Sequence, residues 1–295
     1  MLPDDWHLTQ DVDDFLARAG DFLRSRPALH NTPLTDIEKL RIRGADEHDA
    51  AAPVFGRLES GDVVHAVFYL TPGGRLGLTP LFVEQTDALA AHLVGLGHSP
   101  ANVIADHDTA GAFAASWQRH TSAAPVFFWR THLYRLGTLT PPQPRPEGRG
   151  RITGGQDREQ VVRWCREFCV DVGEQTSIDL IDAGSWDDSR FGDRHFTFWE
   201  TSDGTPVSMA AATSIVGGMV RIDPVYTPAH LRGCGYAGAV TVEVSRTALA
   251  AGATDVVLFT DPDNPTSNAL YQRIGYVHVA DFAGYKFSYG APQAG

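Results

Sequence analysis

The chain has 295 residues, about twice the length of one domain, and its 43% apolar and 20% charged residues exclude wholesale disorder. No run approaches the roughly 18 uninterrupted apolar residues that a membrane-spanning helix needs. With 36 acidic against 24 basic residues the formal net charge is −12, a balance that argues against nucleic acid and favours cationic partners such as amines. The opening stretch MLPDDWHLTQDVDDF lacks a basic region followed by an apolar one, so no secretory leader and a cytoplasmic location are expected.

In chain order, a helix is predicted around 12–23, then strands over VFGRLESG and DVVHAVFYLTPGG about a turn at Ser60-Gly61-Asp62. GLTPLF precedes a helix over 83–97, NVIADHD precedes a helix over 109–121, and VFFWRTHLYRL closes the half. Residues 141–150 (PPQPRPEGRG) hold four prolines and two glycines, which deny helix and sheet continuity and read as a linker.

Beyond it, Val161, Trp164, Cys165, Phe168, Cys169 and Val172 recur at helical spacing within 157–174. HFTFWET and PVSMAAATSIV form a hairpin about 202–205, and MVRIDPVYT is a third strand interrupted by Pro224. A helix follows from about Gly235 to Ala250, then the apolar strand DVVLFTD, a helix over 264–274 and two strand-like pieces from Tyr276 to Tyr289. NVIADHDTAGAFAASWQRHT and DVVLFTDPDNPTSNALYQRIGY share a strand, an acidic turn and a helix, which reads as an internal duplication. Three cysteines cannot build a disulfide framework, and Cys165 and Cys169 read as buried apolar residues with no second pair to complete a metal site. No metal is expected.

Two motifs carry chemistry. In VYTPAHLRGCGYAGAV a strand ends at Val225-Tyr226-Thr227 and a helix begins within Arg232-Gly233-Cys234-Gly235-Tyr236-Ala237. Glycines there let backbone N–H groups converge on an anion at the positive end of a helix dipole, and the loop suits a pyrophosphate. It is neither the triphosphate loop, which needs Gly-Lys-Ser/Thr, nor the dinucleotide fingerprint. About thirty residues on, Asn264 stands at a strand exit, where it can cap the helix that carries Leu270, Tyr271 and Ile274.

Arg232, Gly235 and Ala237, followed by Asn264, Leu270, Tyr271, Gly275 and Tyr276, resemble the paired signatures of the GCN5-related N-acetyltransferases, and the wording is similar to tandem acetyltransferases of high-GC actinobacteria. The resemblance implies a mixed α/β (α+β) fold with two tandem domains, each a mostly antiparallel, splayed sheet flanked by helices. Residues 1–140 would be a degenerate domain without a cofactor site, 141–150 a linker and 151–295 the catalytic domain. It further implies transfer of acetyl from acetyl-CoA to a primary amine of a small molecule or peptide, by a monomer or homodimer with no nucleic acid or membrane partner. Val225, Tyr226 and Thr227 would meet the pantetheine arm, Arg232 to Ala237 the pyrophosphate, and Asn264 and Ser267 the remainder of the coenzyme. Backbone N–H near Val225 would polarise the thioester carbonyl, and Tyr271 would protonate the departing thiolate.

An alkylamine has a pKa of about 10.4, so a base must take its proton before attack. Asp223 is the carboxylate on the third strand; Glu200 and Glu174 are alternatives, and His195 and His230 could also titrate near neutrality. Trp164, Trp186, Phe191, Trp199 and Tyr285 are candidates for an acceptor wall or for core. In the first half, TPLFVEQT stands where the glycine loop would be and Asp108-Thr109-Ala110 where the asparagine motif would be, so no acetyl-CoA is expected there. Acyl-CoA binding without transfer and use of a larger acyl donor are the alternative functions.

Overall fold

The described elements of both halves follow one order: strand, two helices, three strands, helix, strand, helix, strand. In the first half these are β1 (Asp5–Thr9), α1 (Val12–Ser25), α2 (Asn31–Arg43), β2 (Val54–Ser60), β3 (Val63–Leu70), β4 (Arg75–Leu78), α3 (Val83–Gly95), β5 (Asn102–Asp106), α4 (His107–Thr121) and β6 (Ala124–Leu136). In the second they are β7 (Arg149–Ile152), α5 (Arg158–Val172), α6 (Gln175–Asp182), β8 (His195–Glu200), β9 (Pro206–Ala212), β10 (Met219–Tyr226), α7 (Tyr236–Ala250), β11 (Asp255–Thr260), α8 (Pro265–Arg273) and β12 (Tyr276–Ser288). The computed structural model describes residues 5–43 and 51–289.

The compact units do not divide where the proline run suggested. One comprises 1–133 with 279–295, the other 134–278. The final strand is one element, β12, rather than two pieces, and all of it from Val279 onward belongs to the first unit. The expected boundaries at 140 and 151 are therefore corrected. The proline run is part of the second unit because it has partners there: Trp199 Nε1 donates to the Glu147 carbonyl at 3.0 Å, and Arg145 lies over the Trp199 ring. Just ahead of it, Thr140 N–H donates to Ile274 O at 3.0 Å and Gly137 N–H to Gly275 O at 2.9 Å. Gly275 has φ +101°, and a Cβ there would lie 1.8 Å from Thr138 O, so only glycine fits.

In the first unit, β1, β2, β3 and β4 pair antiparallel in sequence, β4 pairs parallel with β5, and β5 pairs antiparallel with Phe282–Lys286 of β12. Leu89, Leu93, Phe113 and Trp117 of α3 and α4 join Phe68, Leu76, Val103 and Phe287 in one core, while Phe15 of α1 packs on Phe55.

The second unit repeats the scheme. β7, β8, β9 and β10 are antiparallel neighbours and β10 runs parallel to β11. Two cores sit on its elements. Ala239, Val240 and Val244 of α7 and Tyr271 and Ile274 of α8 pack with Val220, Ile222 and Leu258. Val161, Trp164, Cys165 and Cys169 of α5 pack with Phe196, Phe198, Met209 and Tyr226. Alternation along β8 and β10 sends successive side chains to the two cores, which is how a period of two builds a covered sheet.

Candidate functional site

β10 and β11 pair only from Met219↔Asp255 to Ile222↔Leu258, although β10 continues to Tyr226. At the same point the register with β9 shifts between Ile222 and Val225, across the cis Asp223–Pro224 peptide. The shift has a chemical result. Ile222 and Val225 both face the α7–α8 core, Tyr226 faces the α5 core, and β10 parts from β11 beyond Leu258. Pro224 lacks an N–H and cannot extend a ladder, which accounts for the break falling there.

The chain then makes a short 3-10 turn over Ala229–Leu231 and reaches α7 through Gly233 and Gly235, at φ +81° and +80°. Open space surrounds Gly233, so these glycines are required by left-handed backbone rather than by crowding. No side chain caps α7. The N–H groups of Gly233, Cys234, Gly235, Tyr236, Ala237 and Gly238 have no acceptor among the described residues. Six consecutive donors at the positive end of a 15-residue helix make an anion cradle.

Arg232 serves this loop differently from the expectation that it supplies charge to an anion. Its Nε donates to Thr227 O at 3.0 Å and its Nη2 pairs with Asp171 of α5, so the guanidinium ties the loop back onto the unit. Ser208 Oγ of β9 donates to Tyr226 O at 3.0 Å and lies 2.8 Å from Thr227 Oγ1, a positioning role that sequence spacing did not reveal. The Tyr226 ring does not face the loop: its hydroxyl donates to Glu167 Oε2 at 2.8 Å. Cys234 is exposed, and Tyr236 packs against the α7–α8 core.

Asn264 caps α8, its Oδ1 accepting from Ser267 N at 3.0 Å, with Pro265 in the first turn. Asn268, missed from sequence, holds the strand exit: its Nδ2 donates to Asp261 O at 3.0 Å and its Oδ1 accepts from Thr260 Oγ1. Two turns into the helix, the buried Tyr271 ring meets Tyr276 edge-on at 6.0 Å. Its hydroxyl has no hydrogen-bond partner among the described residues. Burial first, and the charge of Asp223 second, push the phenol above its ordinary value and keep it protonated. Tyr271 and Asp223 are thus electrostatic neighbours, and Val225, Tyr236 and Tyr271 share one core.

The candidate bases are mostly engaged elsewhere. Both oxygens of Asp223 accept from Arg190 Nη2, at 2.5 and 2.6 Å, and Arg194 Nη2 is 4.0 Å away. Burial alone would raise this carboxyl, but Arg190 and then Arg194 outweigh it and hold it at about 2. Glu200 is buried and accepts from Arg151 Nε at 2.6 Å, in a cluster completed by Asp157. Glu174 caps α6 through Ser177 N at 3.1 Å. His195 meets Ser214 Oγ at 3.1 Å, and His230 is exposed in the loop. Trp164, Trp186, Phe191 and Trp199 are core, whereas Tyr285 belongs to the first unit, beside Phe127. Cys165 and Cys169 are buried thiols, the second pushed up to about 12 by burial and Glu174.

The corresponding corner of the first unit is built shut. Only four residues connect β4 to α3, against nine between β10 and α7. Phe82 N–H donates to Gln85 Oε1 at 3.0 Å and Leu81 N–H to Thr109 Oγ1 at 2.9 Å, so these donors are satisfied by side chains. The counterpart of Asn264 is Asp106, which caps α4 through Thr109 N, rather than Asp108.

Residues 159–276 match the model of the acetyltransferase (GNAT) family. Among solved structures, a GCN5-related N-acetyltransferase from Sphaerobacter thermophilus aligns with TM-score 0.55 and 18% identity over 97% of each chain. A tandem GNAT protein from the clavulanic acid biosynthesis pathway aligns with TM-score 0.54 and 14% identity, covering 97% of this chain and 100% of that one. A GCN5-related N-acetyltransferase from Kribbella flavida aligns with TM-score 0.50 and 17% identity, covering 78% and 88%. These identities establish likeness of fold. A comparison with curated proteins returned no match.

Proposed function

We propose that this chain is an acetyl-CoA-dependent N-acetyltransferase acting on a primary amine, with the second unit as its catalytic part; the match of residues 159–276 to the acetyltransferase (GNAT) family supports this reading. The observation that carries the reading is the run of six acceptor-less amides from Gly233 to Gly238 beside the point where β10 leaves β11. A diphosphate fits such donors, and the strand opening fits an extended arm that completes a backbone ladder. When bound, acetyl-CoA supplies an acetyl group activated as a thioester.

The chain's own residues then have distinct tasks. Amides 233–238 hold charge, and Arg232 and Ser208 fix the loop that presents them. Val225, Tyr226 and Thr227 offer main chain along the opening, while Asn264 and Ser267 shape the α8 end. Tyr271 holds a proton on a hydroxyl that nothing in the fold uses, the property needed of an acid for a leaving thiolate. Asp223, held low by Arg190, is a weak base, and Glu200 is tied to Arg151, so we assign both to positioning rather than to deprotonation. Turnover should then follow the neutral fraction of the amine, rising about tenfold per pH unit below the acceptor's pKa.

In the first unit, the short β4–α3 connection and the Gln85 and Thr109 caps support a domain that binds no coenzyme. Calorimetry with acetyl-CoA tests the assignment: one site per chain is expected, lost with the second unit's loop, and two sites would refute it. The ion-paired state of Asp223 and Glu200 favours a second reading, acyl-CoA binding without transfer. Thiol release stimulated by an amine panel separates the two.

A further inference from the structure

We propose that the acceptor carries a second, positively charged group besides the amine that reacts, and that Glu167 of α5 holds it; the proposal rests on the transferase reading above. The acids that flank Glu167 are already engaged. Asp171, one turn along α5, pairs with Arg232, and Asp223 of β10 pairs with Arg190. Glu174 accepts from Ser177 N and from the Cys169 thiol. Glu167 differs: its one partner among the described residues is neutral, the Tyr226 hydroxyl, which donates to Oε2 at 2.8 Å. Its other oxygen accepts nothing there, and the residue is half-buried. A carboxylate partly withdrawn from water without a counter-ion carries a desolvation cost that an incoming cation offsets.

Tyr226 fixes where that charge sits. Its ring lies 6.1 Å from that of Trp164 and is packed in the α5 core. Burial first, and the bond to Glu167 second, push the phenol above its ordinary value, so it stays a donor and leaves the carboxylate charged. Trp164, Glu167 and Asp171 recur at helical spacing on one face of α5, and the Asp171–Arg232 pair ties that face to the glycine loop. Asp171 and Arg232 also act on the Tyr226 hydroxyl, but as a pair that is already neutralised.

Position ties Glu167 to the reaction. Tyr226 is the last residue of β10, whose ladder with β11 ends at Ile222↔Leu258. One tyrosine side chain and one hydrogen bond therefore join Glu167 to the main chain along the opening. Val225 and Tyr271 belong to the α7–α8 core, so Glu167 lies on the opposite, α5, face of the sheet. A nitrogen that attacks the thioester must be neutral, and a carboxylate gripping its ammonium form would oppose attack. Standing a side chain's length from the opening, Glu167 suits instead a group that remains charged while the amine some bonds away reacts. Diamines have this combination of groups.

The test uses the full chain with acetyl-CoA and measures thiol release with diamines, amino alcohols and alkylamines of equal length, compared per neutral amine. Diamines are expected to exceed the other two in kcat/KM by about tenfold or more, the size of one charge-assisted hydrogen bond. Glu167→Gln should collapse that preference through KM for the diamines, with kcat little changed, and Glu167→Asp, which keeps the charge, should retain part of it. Should the variants fail to fold, the preference of the unaltered protein should shrink severalfold as ionic strength rises from about 0.01 M to about 1 M. Amino alcohols or alkylamines turned over as well as diamines, a preference that survives Glu167→Gln, or one indifferent to salt would overturn the inference and leave the transferase reading standing. Thiol release stimulated by no amine at all would overturn both.

Discussion

Replacing Tyr271 with phenylalanine removes one oxygen and no partner. Because that hydroxyl makes no hydrogen bond among the described residues, no orphaned donor or acceptor is left behind, and the ring contact with Tyr276 at 6.0 Å survives. Folding stability should therefore move by no more than about 1 kcal/mol. Acetyl-CoA affinity, which the proposed reading assigns mainly to the main-chain donors of residues 233–238, should stay within about threefold. Turnover should fall by about 100-fold to 1,000-fold, as is usual for loss of a positioned acid, or about 3–4 kcal/mol in the barrier. Steady-state thiol release at saturating amine gives kcat, calorimetry gives the affinity, and urea titration gives the stability. A kcat within about threefold of the unaltered protein would refute the acid role. A stability loss above about 2 kcal/mol would show that the oxygen serves the fold instead. The phenol's raised value also means that any alkaline decline in rate below about pH 10 belongs to another group.

Two more outcomes follow from the same unit. Asp223 is held at about 2 against an ordinary 3.8, so its folded value is depressed; its contribution of about 2 kcal/mol is present above about pH 4 and lost as pH falls towards 2. Urea midpoints at pH 5 and pH 2.5 should differ less in Asp223→Asn than in the unaltered chain, and equal acid sensitivity would contradict the Arg190 pairing. Gly235→Ala forces a side chain onto φ +80° without a clash, its nearest neighbour being 3.8 Å away. It should cost about 1–2 kcal/mol of stability and weaken acetyl-CoA binding at least tenfold; calorimetry showing full affinity would mean the loop does not hold the coenzyme.

Local chemistry was legible where a residue type is forced by its backbone. Gly233 and Gly235 mark an amide-rich turn into a helix, Asn264 marks a helix cap, and HFTFWET and PVSMAAATSIV mark the paired strands β8 and β9. The helix α2 was not legible because the polar residues His30, Asn31, Thr35 and Asp36, the last bonded to Tyr69, are buried with it alongside only Leu34 and Ile37 as large apolar residues. Its apolar period is therefore faint. β7 hid within RGRI, where pairing with Thr197–Glu200 of β8 decides the conformation and propensity does not. The occupations of Arg232, Asp223 and Glu200 were illegible for a related reason. Their partners Asp171, Arg190 and Arg151 lie on other elements, and only the folded register brings them together.

Membership of residues 279–289 in the first unit bears on how the polypeptide is made. A nascent chain is made from its N-terminal side, so β5 acquires its Phe282–Lys286 neighbour only after the whole intervening unit, 134–278, has been translated. The earlier-made portion thus waits, with β5 lacking that partner, until the second unit has been made. For the same reason a cut in the proline run would yield two fragments, each lacking chain that its own unit requires, rather than two portable modules.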